Sequence, residues 1–352
     1  MSRRSDFCLG GPAVAVLAVL AFVTGHAVCD ELPNLADRAG GLLAAMNPQQ
    51  REAGTWTFTD RERFDIHYAP IDLEGVRHGE LSDTAKKAGE GLLAAVLSAR
   101  GHEKTRAIRQ LELDIRELES GRSGVEEFRD PERYYWAVFG EPAVDTAWGF
   151  RFEGHHLSLN VTATPGQPAA TLPLFLGAQP RLVPDGMPSA GVAVLGEEER
   201  LVRKLYDSLD ESQRAAATLS YKRDRGHMLG QVSTLRDPAS VGLPRRDMDD
   251  DQRAMLDAFL ARFAGLWNAE IEAARLMEID AAREGLHFAF VARDDPPFSF
   301  YVRVAGPGVL IEIDNTAGGD HLHAVWHTPG ADFGEDPLAA HLERHHGELA
   351  RR

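Results

Sequence analysis

Residues 148–161 read WGFRFEGHHLSLNV. Trp148, Phe150 and Phe152 alternate with smaller or charged residues, and Leu157, Leu159 and Val161 do the same after a Gly-His-His interruption. A period of two is that of a strand, and two such runs around a short break read as a hairpin. Residues 300–313, FYVRVAGPGVLIEI, have the same layout, with Arg303 over Arg151 and Gly306 over Gly154. Where the first copy has His155 and His156, the second has Pro307 and Gly308. The histidines are thus an embellishment of one copy, not a requirement of the hairpin.

Outward from the hairpins, further blocks match in the same order. RYYWAVFG (133–140) matches GLHFAFVA (285–292), and LSDTAKKAGEGLLAAVL (81–97) matches MDDDQRAMLDAFLARFA (248–264). Each of the latter begins with a capping residue, Ser82 or Asp249, and runs into an amphipathic helix. LAAMNPQQR (43–51) matches YDSLDESQR (206–214) as a turn and cap feeding a helix. Ordered matches of this kind are the signature of an internal repeat. The expected fold is α+β. Two tandem, pseudo-symmetric helix-then-hairpin units, about 36–165 and 199–317, share a mostly antiparallel sheet with helices packed on it. The Pro/Gly-rich link between them carries strand-like runs at 171–176 and 191–195 and reads as a sheet extension. After the second unit, 318–352 is a His-rich strand, loop and short closing helix with no counterpart in the first.

The chain has 352 residues, 43% hydrophobic and 26% charged, the composition of a globular protein. A net charge of −16 argues against nucleic acid as a partner, because phosphate binding needs a basic surface. Arg3 and Arg4, an apolar stretch from Gly11 to Val23 and small residues around Ala27 read as a signal peptide spanning 1–29. The expected mature protein, 30–352, is therefore secreted or periplasmic and has no membrane span. Cys8 and Cys29 fall in or at the edge of that segment, which leaves no internal disulfide, thiolate site or cysteine nucleophile.

WGFRFEGHHLSLN, FLGAQP (175–180) and the pattern DNT…HLHAVWH…DFGEDPLAAH (314–341) together resemble a bacterial and fungal family known as DUF3500, a domain of unknown function. The resemblance spans nearly the whole mature chain. It implies a family and supplies no activity. HAVWHTP departs from it, standing where the family pattern has Trp-Arg-Asp, which sets His327 apart.

Chemistry concentrates in a few polar strand positions. With the turn placed near Gly154 and His155, His156, Ser158 and Asn160 share one face and Leu157, Leu159 and Val161 the other. In VLIEIDN (309–315), Glu312 and Asp314 share a face; in HLHAVWH (321–327), His321, His323 and His327 do. Imidazoles with carboxylates are the ligand set of catalytic zinc, non-haem iron or copper. The candidate metal ligands are His155, His156, His321 and His323, for a divalent transition metal (Zn, Fe or Cu). Glu153, Asp314 and Arg151 are the candidate catalytic groups, and Asn160 and Arg303 the candidate substrate contacts. A metal-free base, His with Asp314 or Glu153, uses the same residues. Ser158 lacks a G-x-S-x-G setting. Asp332-Phe333-Gly334 stands without the other kinase elements, and His341 and His345 lack the glutamate of H-E-x-x-H.

The composite points to an exported enzyme acting on a small molecule by hydrolysis or oxidation. The alternatives are a non-catalytic protein that binds a metal or small ligand, and a partner-binding module with incidental histidines.

Overall fold

A computed structural model describes residues 31–219, 241–292 and 299–335. Nine α-helices fall there: α1 Glu31–Ala45, α2 Pro48–Ala53, α3 Asp83–Val96, α4 Ala99–Leu118, α5 Val125–Phe128, α6 Gly196–Ser208, α7 Glu211–Ala217, α8 Asp250–Ala264 and α9 Ala269–Ala282. Their starts are encoded locally. The side chains of Ser82, Ser98, Asp249 and Asn268 each accept a backbone N–H of the first turn, and Asn47, Asp210 and Asp249 complete reciprocal capping boxes with a glutamine. The pair of helices α3 and α4 meets the pair α8 and α9 at their connections. Ser98 N–H donates to Leu266 C=O (2.9 Å) and Asn268 N–H to Val96 C=O (2.8 Å). Only glycine allows this approach at residue 101, where a Cβ would lie 1.9 Å from the Leu266 oxygen.

Eleven strands form one sheet: β1 Thr55–Trp56, β2 Val76–Arg77, β3 Tyr134–Phe139, β4 Trp148–Gly154, β5 Leu157–Ala163, β6 Leu174–Ala178, β7 Leu243–Pro244, β8 His287–Ala292, β9 Phe300–Gly306, β10 Val309–Thr316 and β11 His321–His327. The order is β1-β3-β4-β5-β6-β11-β10-β9-β8-β7, with β2 also on β3. All pairings are antiparallel except β1 with β3. The architecture is the α+β one expected: a mostly antiparallel mixed sheet with helices packed on it. Among the described residues the first half runs α1-α2-β1-β2-α3-α4-α5-β3-β4-β5 and the second α6-α7-β7-α8-α9-β8-β9-β10.

Both faces of the sheet are covered. On one, Phe152, Leu159, Leu176, Ile313, Ala324 and Trp326 meet Leu92, Ile108, Phe259 and Trp267 of the helices in a single core. Each large apolar side chain fully buried there contributes roughly 1.5–3 kcal/mol. On the other, Phe175 and Val325 pack under Ile66 and Tyr68, which belong to the long connection between β1 and β2. Arg151 ties that connection down, donating to the carbonyls of Glu62 (2.6 Å) and Asp65 (2.7 Å).

Two local expectations, the place of one turn and a strand at 191–195, are corrected. The turn between β4 and β5 is His155-His156, one residue later than expected, because Gly154 still pairs with Leu157. His156 therefore belongs to the turn and not to the face of Ser158 and Asn160. The strands β5 and β10 are not neighbours; β6 and β11 lie between them. Residues 191–195 form no strand, since Gly191, at φ 82°, closes a turn in which Gly191 N–H donates to Val183 C=O and Val183 N–H to Val192 C=O. The segment 1–29 and the expected closing helix with His341 and His345 lie outside the described residues.

Candidate metal centre at the end of the central strands

Residues directly opposite in an antiparallel pair project to the same side. One row across the sheet is Tyr301, Asp314, His323 and Gly177, contributed by β9, β10, β11 and β6. His321 lies two residues before His323 on the same face. Gly177 has no side chain, and the imidazole of His156 lies over it, so the turn of one hairpin reaches across β6 towards β11. The backbone fixes this reach from both sides. His156 N–H donates to Tyr68 C=O (3.0 Å), and Gly177 N–H donates to His156 C=O (2.7 Å).

His156, His321 and His323 each offer a ring nitrogen, and these atoms lie within 4.8 Å of one another. His156 Nε2 is 2.7 Å from His321 Nε2. The His321 and His323 rings are 4.4 Å apart between centroids. His156 is buried, whereas His321 and His323 are partly exposed, so the group opens to solvent on the β11 side. Burial, reinforced by neighbouring imidazoles, drives the His156 ring well below the usual histidine range. It lowers His321 to about 4, with His155 and Arg129 adding to the effect, and His323 to about 3. The three rings are neutral at pH 7, the state in which imidazole is a metal ligand. Tyr68 stacks on Phe175 at 4.1 Å, and both rings flank His323.

His156 has φ 64°, the left-handed region that glycine favours. The β9–β10 turn has the same conformation at Gly308 (φ 70°). A histidine there costs about 1 kcal/mol. The surroundings hold it in place. The His155 ring stacks on it at 3.7 Å, and Tyr134 Oη donates to His155 C=O at 2.7 Å. Glu112 of α4, 1% exposed, contacts His155 Nδ1 through Oε1. Arg129, held by Glu119 at 2.9 and 3.1 Å, lies 3.1 Å from the same nitrogen.

Glu112, His155 and His156 also cluster within 4.8 Å. The guanidinium of Arg129, 3.8 Å from the Glu112 carboxylate, already places a cation there. That set fits an outer layer around His156 better than a second cation site. The set that fits a metal is the one of three imidazoles, His156 buried and His321 and His323 partly exposed. In the fit, His156 Nδ1 and Glu112 Oε2 are buried without hydrogen-bond partners.

Of the other candidates, Asp314 lies beside His323 and the rest sit elsewhere. Arg151 Nε is 2.7 Å from Glu153 Oε1, and Glu153 Oε2 accepts from Ser158 Oγ (3.2 Å) and His67 N–H (3.1 Å). Asn160 Nδ2 donates to Ser158 Oγ (3.2 Å) and Pro173 C=O (2.9 Å). These four make a buried network that anchors the β1–β2 connection. Burial raises Glu153 to about 7 against the opposing effect of Arg151. Asp314 is the cross-strand neighbour of His323, and Arg303 that of Glu312. His327 lies 3.2 Å from Asp332, within the Asp-Phe-Gly tripeptide, which serves here as a structural turn.

Glu112, Arg129, Tyr68 and Gly177 were not foreseen. Glu112 did carry a signal, because it falls on the buried stripe of α4 with Ile108, Leu111 and Ile115. A carboxylate on such a stripe needs a partner. Gly177 is an isolated glycine inside the strand LFLGA, a mark of close approach.

No curated protein and no solved structure matches the chain. The model of the family described as "Protein of unknown function (DUF3500)" matches residues 30–335, the stretch that carries the sheet, the helices and every residue of the imidazole group. The chain belongs to this family.

Proposed function

We propose that the protein binds one divalent transition metal, zinc, iron or copper, through His156, His321 and His323, and that it is a metal-dependent enzyme acting on a small molecule. The observation that carries this reading is the convergence of three neutral imidazoles from a turn and a distant strand, with ring nitrogens inside 4.8 Å. Tetrahedral ligands at metal–nitrogen distances of about 2 Å lie roughly 3.3 Å apart, which side-chain rotation reaches from this arrangement. Three protein ligands and partial exposure leave a position for substrate, which favours catalysis over storage.

A bound metal here supplies Lewis acidity towards a carbonyl or, as iron or copper, an electron-exchange centre. The chain's own groups do the rest. Gly177 gives His156 its space, Glu112 and His155 fix the His156 ring, and Tyr68 and Phe175 wall the site beside His323. The basic and then apolar N-terminus supports export of the chain.

Elemental analysis of untagged protein tests the reading. About one metal per chain is expected, lost in His323→Ala and kept in His102→Ala, a half-exposed residue of α4 paired with Glu90. Protein that takes up no zinc, iron or copper on titration removes the proposal.

A further inference from the structure

Arg151 and Arg303 occupy matching positions on β4 and β9 and have opposite surroundings. Arg151 is saturated by the carbonyls of Glu62 and Asp65 and by the carboxylates of Glu62 and Glu153. Arg303 is 3% exposed, yet among the described residues no hydrogen bond or ion pair engages it, and its Nε is buried without a partner. A buried guanidinium without acceptors is costly, whereas a planar fork aimed at a carboxylate is the best use of one.

A second unsatisfied group lies beside it. Glu312, the cross-strand partner of Arg303, is fully buried. Glu312 Oε1 accepts the Tyr301 hydroxyl, and Oε2 has no partner. Burial raises the Glu312 carboxyl. The Tyr301 hydrogen bond, His327 and Arg303 oppose that rise, and Asp314 adds to it. On the other flank of Arg303, β8 offers only the methyl group of Ala289.

We propose that Arg303 anchors a binding site for a small organic carboxylate, whose two oxygens accept from the guanidinium fork, with the partnerless Oε2 of Glu312 beside it. Arg303 lies on the same face of the sheet as His323, two strands away. One row along the strands separates them, a Cα distance of about 12 Å. The site does not depend on a metal, so it extends the reading above without resting on it.

The test is isothermal titration of the full chain, freed of metal, with acetate, succinate and benzoate. Chloride and inorganic phosphate serve as comparisons. One carboxylate should saturate a single site per chain, with affinity at least tenfold weaker in Arg303→Met and unchanged in His102→Ala. Should Arg303→Met not fold, Arg303→Lys decides: it keeps the charge and loses the fork, and several-fold weaker binding is expected. Absence of saturable carboxylate binding, binding of phosphate alone, or equal affinity in the folded Arg303 variant would overturn the proposal. Metal uptake is scored separately, so failure of one reading leaves the other standing.

Discussion

The imidazole of His156 occupies the space that a side chain at residue 177 would fill. A methyl group on Gly177 would lie 2.6 Å from His156 Cδ2 and 2.9 Å from Cβ. Gly177 sits in a regular strand, so alanine there meets no backbone penalty, and the collision with His156 is the whole effect. Gly177→Ala should therefore weaken metal binding at least tenfold while the sheet still forms. Metal titration alongside circular dichroism checks both halves of this expectation.

The left-handed backbone at His156 separates two roles of that residue. His156→Ala and His156→Gly both remove the imidazole and should both abolish metal uptake. Glycine relieves the backbone strain and alanine does not, so the glycine variant should be the more stable by about 1 kcal/mol. Urea denaturation of the two variants measures the difference. Equal stabilities would mean that the turn is not strained.

Glu112 is 1% exposed and bound to His155, so its effect on the metal is indirect. Glu112→Gln keeps the shape and loses the charge. Outer-layer changes of this kind typically lower metal affinity 10- to 100-fold. With cobalt as the probe, the visible spectrum of the variant should shift while the stoichiometry stays at that of the parent. An unchanged spectrum and affinity would assign Glu112 to structure alone.

The pH dependence of stability has a definite sign. Folding lowers His321 and His323 from 6.5 to about 4 and about 3, so between 6.5 and those values the unfolded chain binds protons that the folded chain does not. Stability of metal-free protein is then full above pH 6.5 and falls as the pH drops towards 4, by at most about 1.4 kcal/mol per unit for each histidine. Denaturation at pH 7 and pH 5 should show the loss, and His323→Gln should reduce it. A stability that rises on acidification would contradict the buried, neutral rings.

Arg151 anchors the connection between β1 and β2 through buried charge. Removing one partner of a buried pair commonly costs 3–5 kcal/mol. Arg151→Met should expose residues 57–72 to limited proteolysis, read by mass spectrometry, well before the rest of the chain is cut.

The hairpins, the helix starts and the two sheet faces were legible because each depends on residues close in sequence. Alternation placed Leu157 and Ile313 in the core, and Ser82 and Asp249 marked their helices. The assignment of His321 and His323 to one face also follows from alternation alone. The exact turn was not legible, because His-His has no turn preference that competes with Gly154, and one residue of slip moves His156 from strand to turn. Strand order was not legible either. Similarity between halves says nothing of what inserts between them, here β6 and β11 between β5 and β10. Arg151 and Arg303 look alike in sequence, and only the oxygens brought by a distant connection tell them apart.

The last described strand in the chain, β11, is bonded to β6 on one side and β10 on the other. Everything from β1 to β6 and from β7 to β10 is synthesised before the segment that joins them. A growing chain that has not yet reached residue 321 has two separate sheets and one of the three imidazoles. Insertion of β11 closes the sheet and delivers His321 and His323 together. Acquisition of a metal would thereby report that β11 has been made and inserted, and a chain truncated before it would have neither a continuous sheet nor a centre to load.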